Sequence, residues 1–413
     1  MQERQYELKP RDVLFFRDGR PMDADKAMEE VRNIGHGAVW PRPDHLYKGV
    51  MHALLKETSG AYFGDFPALK VMGPYPVKKG KGMDSDVLYL PRPLDWDMDI
   101  EPCADTDLPE PLKYGFIDRT EGKKKLPAWI AEGDFFRYLD REDHGLYYED
   151  EKDASGNVRK DKNGNPIKTI KFPYSDGELF DVESRIGTTL DHSTGASKRV
   201  KGQHASGQYQ GEYLRVKKNV SMWCSVDTGR MGADKGTAEA PETPRSFVMG
   251  GQGGIVTCLK TDVGLAEKFP SPKIEATGEV LVRWTLIAPA LFQCTGWLPG
   301  WCKDSRSDVA KGDRKALGTV MFPDCGGCRL VGACVGKPIH FSGWDTAKGI
   351  KPTLLAVPQG SVYLFMCDDN ASAQALVARL HLQRQSDDGP HGFGIGICSV
   401  VDIKQNDKTT SNN

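Results

Sequence analysis

Apolar residues along this chain fall mainly in short runs and alternating stretches bounded by glycine, proline and asparagine, the pattern of many strands and few helices. Residues 6–16 open with Tyr6 and Leu8 and close with Val13, Leu14, Phe15 and Phe16, which predicts a strand whose exit turn is Arg17-Asp18-Gly19-Arg20-Pro21. After a long loop, Leu46, Val50, Ala53 and Leu54 share one helical face, with Asp44 as the expected N-cap. Residues 87–90 read as a short strand. Residues 153–169 hold two turn signals, Ser155-Gly156-Asn157 and Asn163-Gly164-Asn165-Pro166, and predict a protruding hairpin or disordered finger. Strands follow at 185–190, 212–226 and 255–259, the last preceded by Gly250-Gly251-Gln252-Gly253-Gly254. Further strands are expected at 279–288, 329–341, 353–367 (broken at Pro358-Gln359-Gly360) and 393–403, with one helix at 371–382. This order predicts an α+β protein of layered sheets and helices. A chain of 413 residues is long enough for two domains, and the boundary is placed near residues 270–272.

Composition narrows the class. The first residues lack a basic region followed by an apolar core, and no apolar run reaches membrane-spanning length, so neither secretion nor a membrane span is expected. Ten cysteines are irregularly spaced, and Cys258, Cys367 and Cys398 lie inside strand-like runs, as reduced thiols of a cytoplasmic protein would. The net charge of −2 excludes a generic polycationic nucleic-acid binder, so any RNA site must be local.

The strongest local positive excess lies in residues 185–219. Arg185, Lys198, Arg199, Lys201, Arg215, Lys217 and Lys218 there face two acids, Asp191 and Glu212. With Tyr209 and Tyr213 available to stack on bases, the segment reads either as a single-strand RNA surface or as a solvated hairpin. Gly389-Pro390-His391-Gly392-Phe393-Gly394-Ile395-Gly396 reads either as a loop offering N–H groups to phosphates or as a turn that starts a strand. Arg17, Arg20 and Arg42 flank the first strand and helix, where they can meet an RNA backbone or pair with Asp12, Asp18 or Asp44. Cys325-Gly326-Gly327-Cys328 invites a zinc reading, but no second CxxC pair exists, and a surface loop with two free thiols is the default. His36 is a loop histidine that reads either as a general base or as a hydrogen-bonding surface residue. No Walker loop, dinucleotide fingerprint, HExxH motif or GxSxG elbow occurs.

Several strings taken in order resemble the third subunit of type III-B (Cmr) CRISPR effector complexes, within the RAMP superfamily. They are LFFRDGRPM, WPRPDHLYKGVMHALL, RIGTTLDHSTG, GEYLRV, GGQGG, TGWLPGW, ACVGKPIHFSGWD, AVPQGSVYLF and GFGIG. The resemblance implies two ferredoxin-like (RRM-like) domains with long loop and hairpin insertions. These are residues 1–268, carrying a charged insertion at about 118–172, and residues 269–413, ending in the glycine-rich loop and final strand. It also implies a non-catalytic subunit that binds the 5′ handle of the guide RNA and bridges the large polymerase/cyclase-like subunit to the backbone RAMP subunit, with no cofactor and no membrane. The implied RNA contacts are Arg17, Arg20, Arg42, Lys48, His52, Arg185, Thr188, Arg199, Lys201, Tyr209, Gly250, Gly251, Gly392 and Gly394. His52 stands where the family's first helix commonly carries an arginine. The alternative is a RAMP-type endoribonuclease that processes precursor guide RNA with His36 as its base.

Overall fold

The computed structural model of the chain describes residues 3–17, 34–35, 37–55, 69–82, 85–103, 112–120, 126–140, 147–153, 155–188, 193–194, 208–227, 245–275, 278–292, 296–303, 318–341, 344–345, 349–350, 353–386 and 392–401. The first part of the chain runs β1 (Glu3–Pro10), β2 (Ile34–Gly35), α1 (Pro43–Leu55), β3 (Lys70–Lys78), β4 (Val87–Pro91), β5 (Met98–Pro102), β6 (Tyr114–Asp118), β7 (Trp129–Ala131) and α2 (Glu132–Asp140). It continues with β8 (Tyr148–Asp150), β9 (Lys168–Ile170), β10 (Phe180–Thr188), β11 (Gln208–Val216), β12 (Val220–Asp227), β13 (Arg245–Val248), β14 (Ile255–Thr261) and α3 (Leu265–Lys268). The second part comprises β15 (Val280–Leu286), β16 (Arg329–Cys334), β17 (Ile339–Phe341), β18 (Trp344–Asp345), β19 (Gly349–Ile350), β20 (Leu354–Ala356), β21 (Val362–Cys367), α4 (Asn370–Leu380) and β22 (Gly396–Val401). Strands dominate and helices are few, so the fold is α+β.

Two sheets organise the core. Seven strands lie in the order β13-β14-β1-β12-β3-β4-β7, and four in the order β16-β21-β15-β22. Alternation explains the smaller sheet. Tyr363, Phe365 and Cys367 of β21 join Val282 and Trp284 of β15 on one face, where Leu376, Val377 and Leu380 of α4 cover them. Val362, Leu364 and Met366 point to the other face with Leu281, and there the β5–β6 hairpin from the first part supplies Ile100, Tyr114 and Phe116. Helix α4 starts where expected, with Asp369 as an N-cap whose side chain accepts from Ser372 N at 2.8 Å. On α1, by contrast, Pro43 and Asp44 lie within the first turn, so Asp44 is not the cap. Its carboxylate instead sits inside the positive end of the helix dipole.

Three expectations are corrected. The stretch read as a charged surface insertion contains β7 and α2, whose Trp129, Ile130, Phe135 and Tyr138 belong to the main core. The strand expected at 212–226 is two strands, β11 and β12, joined by a tight turn in which Val220 N donates to Lys217 O. The strand expected at 329–341 is β16 and β17, which pair with different partners, β21 and β20. The finger does form a hairpin. Asp153 and Asp161 each accept from two backbone N–H groups of their own turns, so side-chain hydrogen bonds rather than apolar packing hold its shape.

The two parts also lock together through a buried polar joint. Arg283 of β15 donates to the last-turn carbonyl of Tyr138 on α2 at 2.7 Å, lies 3.9 Å above the Tyr138 ring and donates to Ser399 Oγ at 3.0 Å. Tyr138 donates its hydroxyl to Asp95 at 2.7 Å, and that carboxylate lies 3.9 Å from Arg283.

Candidate RNA interface

Four segments far apart in sequence meet at the base of the β10–β11 hairpin. The backbone of Leu14 exchanges hydrogen bonds with Leu214 of β11, at 2.9 and 2.8 Å. Gly251 N donates to Phe15 O at 2.8 Å, and Ala38 N donates to Phe16 O. Strand β2 runs parallel to β11 beside them. Glycine is required at two of these crossings. A Cβ on Gly37 would stand 2.2 Å from Glu212 O, and one on Gly250, where φ is +83°, 2.5 Å from Phe15 O. The residues 14–17, 37, 211–215 and 250–251 are therefore one structural unit. Arg17 is exposed there and bridges to Gly37.

The hairpin's face is charged but balanced. Arg185 donates to Glu183 at 2.7 Å, Arg215 pairs with Glu183 and Asp12, and Lys217 pairs with Asp181. Hydrogen bonds from Arg215 and Arg185 hold the Glu183 carboxyl down to about 2. The Arg185 guanidinium lies 5.4 Å from the Tyr213 ring, which is itself 5.2 Å from Phe15. Asp12 and Glu183 were not legible as parts of this site. Their signal, acids placed opposite arginines across a strand pair, exists only once the register is known.

A second cluster surrounds a cavity of about 330 Å³ lined by Trp40, Arg42, Tyr75, Trp129, Ala288 and Gln359, among others. Trp40 Nε1 donates to Pro74 O at 2.8 Å and packs 5.4 Å from Trp129. Among the described residues, the Tyr75 hydroxyl and Gln359 Oε1 are buried without a hydrogen-bond partner. Arg42 is buried and pairs with Asp44 at 3.2 Å. Burial lowers the neighbouring His45 to about 4, which keeps its imidazole neutral.

Gly392 and Gly394 lie behind this cavity and face inward. Gly394 N donates to Pro289 O at 2.7 Å, and Cβ atoms on the two glycines would stand 2.7 Å from Val71 O and 2.5 Å from Ser386 N. Close packing explains these glycines, and the N–H of Gly394 is already used within the fold. Lys48 is exposed on α1, and His52, Thr188 and Tyr209 lie in α1, β10 and β11. Arg20, His36, Arg199 and Lys201 lie outside the described residues. Cys325 and Cys328 are buried in the second core rather than free on a surface loop, with Cys328 Sγ 3.1 Å from Cys367 Sγ. Burial pushes Cys325 up to about 12, and among the described residues no group of three or more side chains is arranged to hold a metal ion.

The chain matches a family model over nearly its whole length, that of CRISPR-associated protein (Cas_Cmr3), at residues 6–399. The chain belongs to the Cmr3 family. Among solved structures, this Cmr3-family chain is similar to a chain in the type III-B Cmr-beta complex bound to cognate target RNA and AMPPnP. The identity is 15% and the TM-score 0.42, with 87% of this chain and 86% of that chain covered. The same complex bound to cognate target RNA gives 15% identity, a TM-score of 0.41 and the same coverage. A chain of the Csm3–Csm4 subcomplex of the type III-A CRISPR-Cas interference complex gives 12% identity and a TM-score of 0.35, with 88% and 94% covered. No curated protein sequence matches.

Proposed function

We propose that this Cmr3-family chain is a non-catalytic, cytoplasmic subunit of a type III-B CRISPR ribonucleoprotein. It holds the 5′ handle of the guide RNA and bridges the large polymerase/cyclase-like subunit to the backbone RAMP subunit. The observation that carries this reading is the meeting of residues 14–17, 37, 211–215 and 250–251 beneath the β10–β11 hairpin. Four of the expected RNA contacts, Arg17, Arg185, Gly250 and Gly251, reach that unit from three separate parts of the sequence. Arg20, Thr188, Arg199, Lys201 and Tyr209 flank it in sequence, and Lys48 and His52 extend the contact along α1. Arg42, Gly392 and Gly394 then serve the same surface indirectly, by shaping the start of α1 and the loop behind it.

The fold supports two ferredoxin-like units, at residues 1–268 and 269–413. Within the larger sheet β14-β1-β12-β3 places the fourth, first, third and second strands of such a unit side by side, and β22-β15-β21-β16 repeats that order. Every neighbouring pair in both sets is antiparallel. Helix α1 fills the first crossover of the first unit, and α4 the second crossover of the second.

The test is co-purification with the genomically neighbouring subunits, followed by ultraviolet crosslinking and mapping of bound RNA. Handle nucleotides should crosslink within residues 183–216 or the 11–17 loop, and Arg185→Ala should weaken guide retention several-fold. Purification of the chain alone, without guide RNA and with site-specific cleavage of repeat RNA, would replace this reading with the nuclease.

A further inference from the structure

The β10–β11 hairpin holds the strongest basic excess in the sequence, yet its two central arginines are neutralised in a closed ring. Arg185 donates through Nε to Glu183 Oε1 at 2.7 Å, and its Nη2 lies 3.5 Å from Asp12 Oδ2. Arg215 reaches the other oxygens of both acids, Glu183 Oε2 through Nε and Asp12 Oδ1 through Nη1, the latter at 3.0 Å. Each carboxylate thus bridges both guanidiniums. The ring lies at the surface, with Arg185 and Arg215 each 41% exposed, Asp12 61% and Glu183 32%. It is flanked by the Tyr213 and Phe15 rings.

Stability alone does not account for this arrangement. Exposed ion pairs contribute about 0–1 kcal/mol each, and β10 and β11 are already paired along their whole length. What the ring does present is four anionic oxygens, one from each acid on each guanidinium, in the charge-assisted hydrogen bonds that arginine also makes to phosphate oxygens.

We propose that Asp12 and Glu183 are phosphate stand-ins that occupy Arg185 and Arg215 in the free chain and yield to the backbone of the guide RNA. The inference rests on the handle-binding reading and deepens it. An RNA with no other contacts exchanges carboxylate oxygens for phosphate oxygens and gains almost nothing, so it binds weakly. A guide that is also held elsewhere displaces the acids at little cost. Asp12 and Glu183 are therefore specificity-determining residues rather than RNA contacts.

The experiment measures fluorescence anisotropy of a labelled oligouridylate against the full-length chain over a salt series. Asp12→Asn and Glu183→Gln should each tighten binding about three- to tenfold at about 0.1 M salt, and the log–log salt slope should steepen by about 0.7 for each arginine released. Asp324→Asn, which frees Arg379 on α4, adds the same charge far along the chain and should leave affinity within about twofold. Unchanged or weaker binding by the two acid variants would overturn the proposal, as would an equal gain in Asp324→Asn. Arg185→Ala and Arg215→Ala separate the two readings. If they weaken binding while the acid variants do nothing, the stand-in role falls and the RNA surface stands. If the acid variants tighten oligouridylate while handle crosslinks in the assembled complex lie elsewhere, the stand-in role holds and the handle assignment falls.

Discussion

His45 follows Asp44 in the first turn of α1, with its ring 4.8 Å from Phe16 and its Nδ1 accepting from Arg42 N at 3.2 Å. Burial lowers its pKa from 6.5 to about 4, against the opposing pull of Asp44, while Arg42 and Lys48 push the same way as burial. The unfolded chain therefore takes up this proton first. The contribution of His45 to stability is complete above about pH 6.5 and is lost as the pH falls toward about 4. His381 acts in the same direction: it is buried, with Nε2 donating to Phe269 O and Nδ1 accepting from Cys398 N. Urea denaturation at pH 7 and pH 5 should show a loss of about 2 kcal/mol attributable to His45. His45→Asn, which keeps the acceptor and cannot be protonated, should remove that part of the loss. An identical pH dependence in the variant would reject the assignment.

At the scale of elements, the 147–174 segment is fastened to α2 by hydroxyls rather than by apolar side chains alone. Asp134 accepts from Tyr147 at 2.7 Å and from Tyr174, and Asp97 accepts from Tyr148 at 2.6 Å. Asp134→Ala takes the buried acceptor from two tyrosine hydroxyls and should destabilise the chain by about 3 kcal/mol. Amide exchange should accelerate across 147–174 before it does in β12, and uniform exchange would contradict the fastening. This region also marks the limit of what the sequence disclosed. Helix α4 was legible because residues 371–382 carry apolar side chains at helical spacing, and β15 and β21 because their runs are bounded by glycine or proline. Helix α2 was not, since its short aromatic face sits among charges that outnumber it. Strands β11 and β12 merged because Lys217-Lys218-Asn219 carries neither glycine nor proline. In the candidate site Arg185 and the glycine cluster were visible as local composition. The acids that complete the ring, and the Trp40–Trp129 pair beside the cavity, depend on chain crossings that no local window records.

The whole molecule is built so that its two sheets share one fate. Ile287, Ala288, Leu382, Ile395 and Ile397 of the second part join the main core of the first, and Arg283 seals the end of α2. Trp223 and Trp284 are buried in different sheets and report on each. Thermal unfolding should therefore appear as one transition by fluorescence and by calorimetry. Arg283→Met, which removes the guanidinium that lies 3.9 Å from the buried Asp95 carboxylate, should destabilise the chain by about 3 kcal/mol without splitting that transition. Two separated transitions in the unmodified chain would show that the sheets are independent.

The β5–β6 hairpin carries a further consequence for how the chain comes into being. Ile100, Tyr114 and Phe116 leave the ribosome long before the strands they cover, the first of which begins at Val280. Until then the nascent chain holds an apolar surface with nothing to rest on, and a product truncated by a premature stop holds it permanently. Only a chain that extends through Val401 can cover that surface fully, so a product that stops earlier keeps it exposed and open to aggregation.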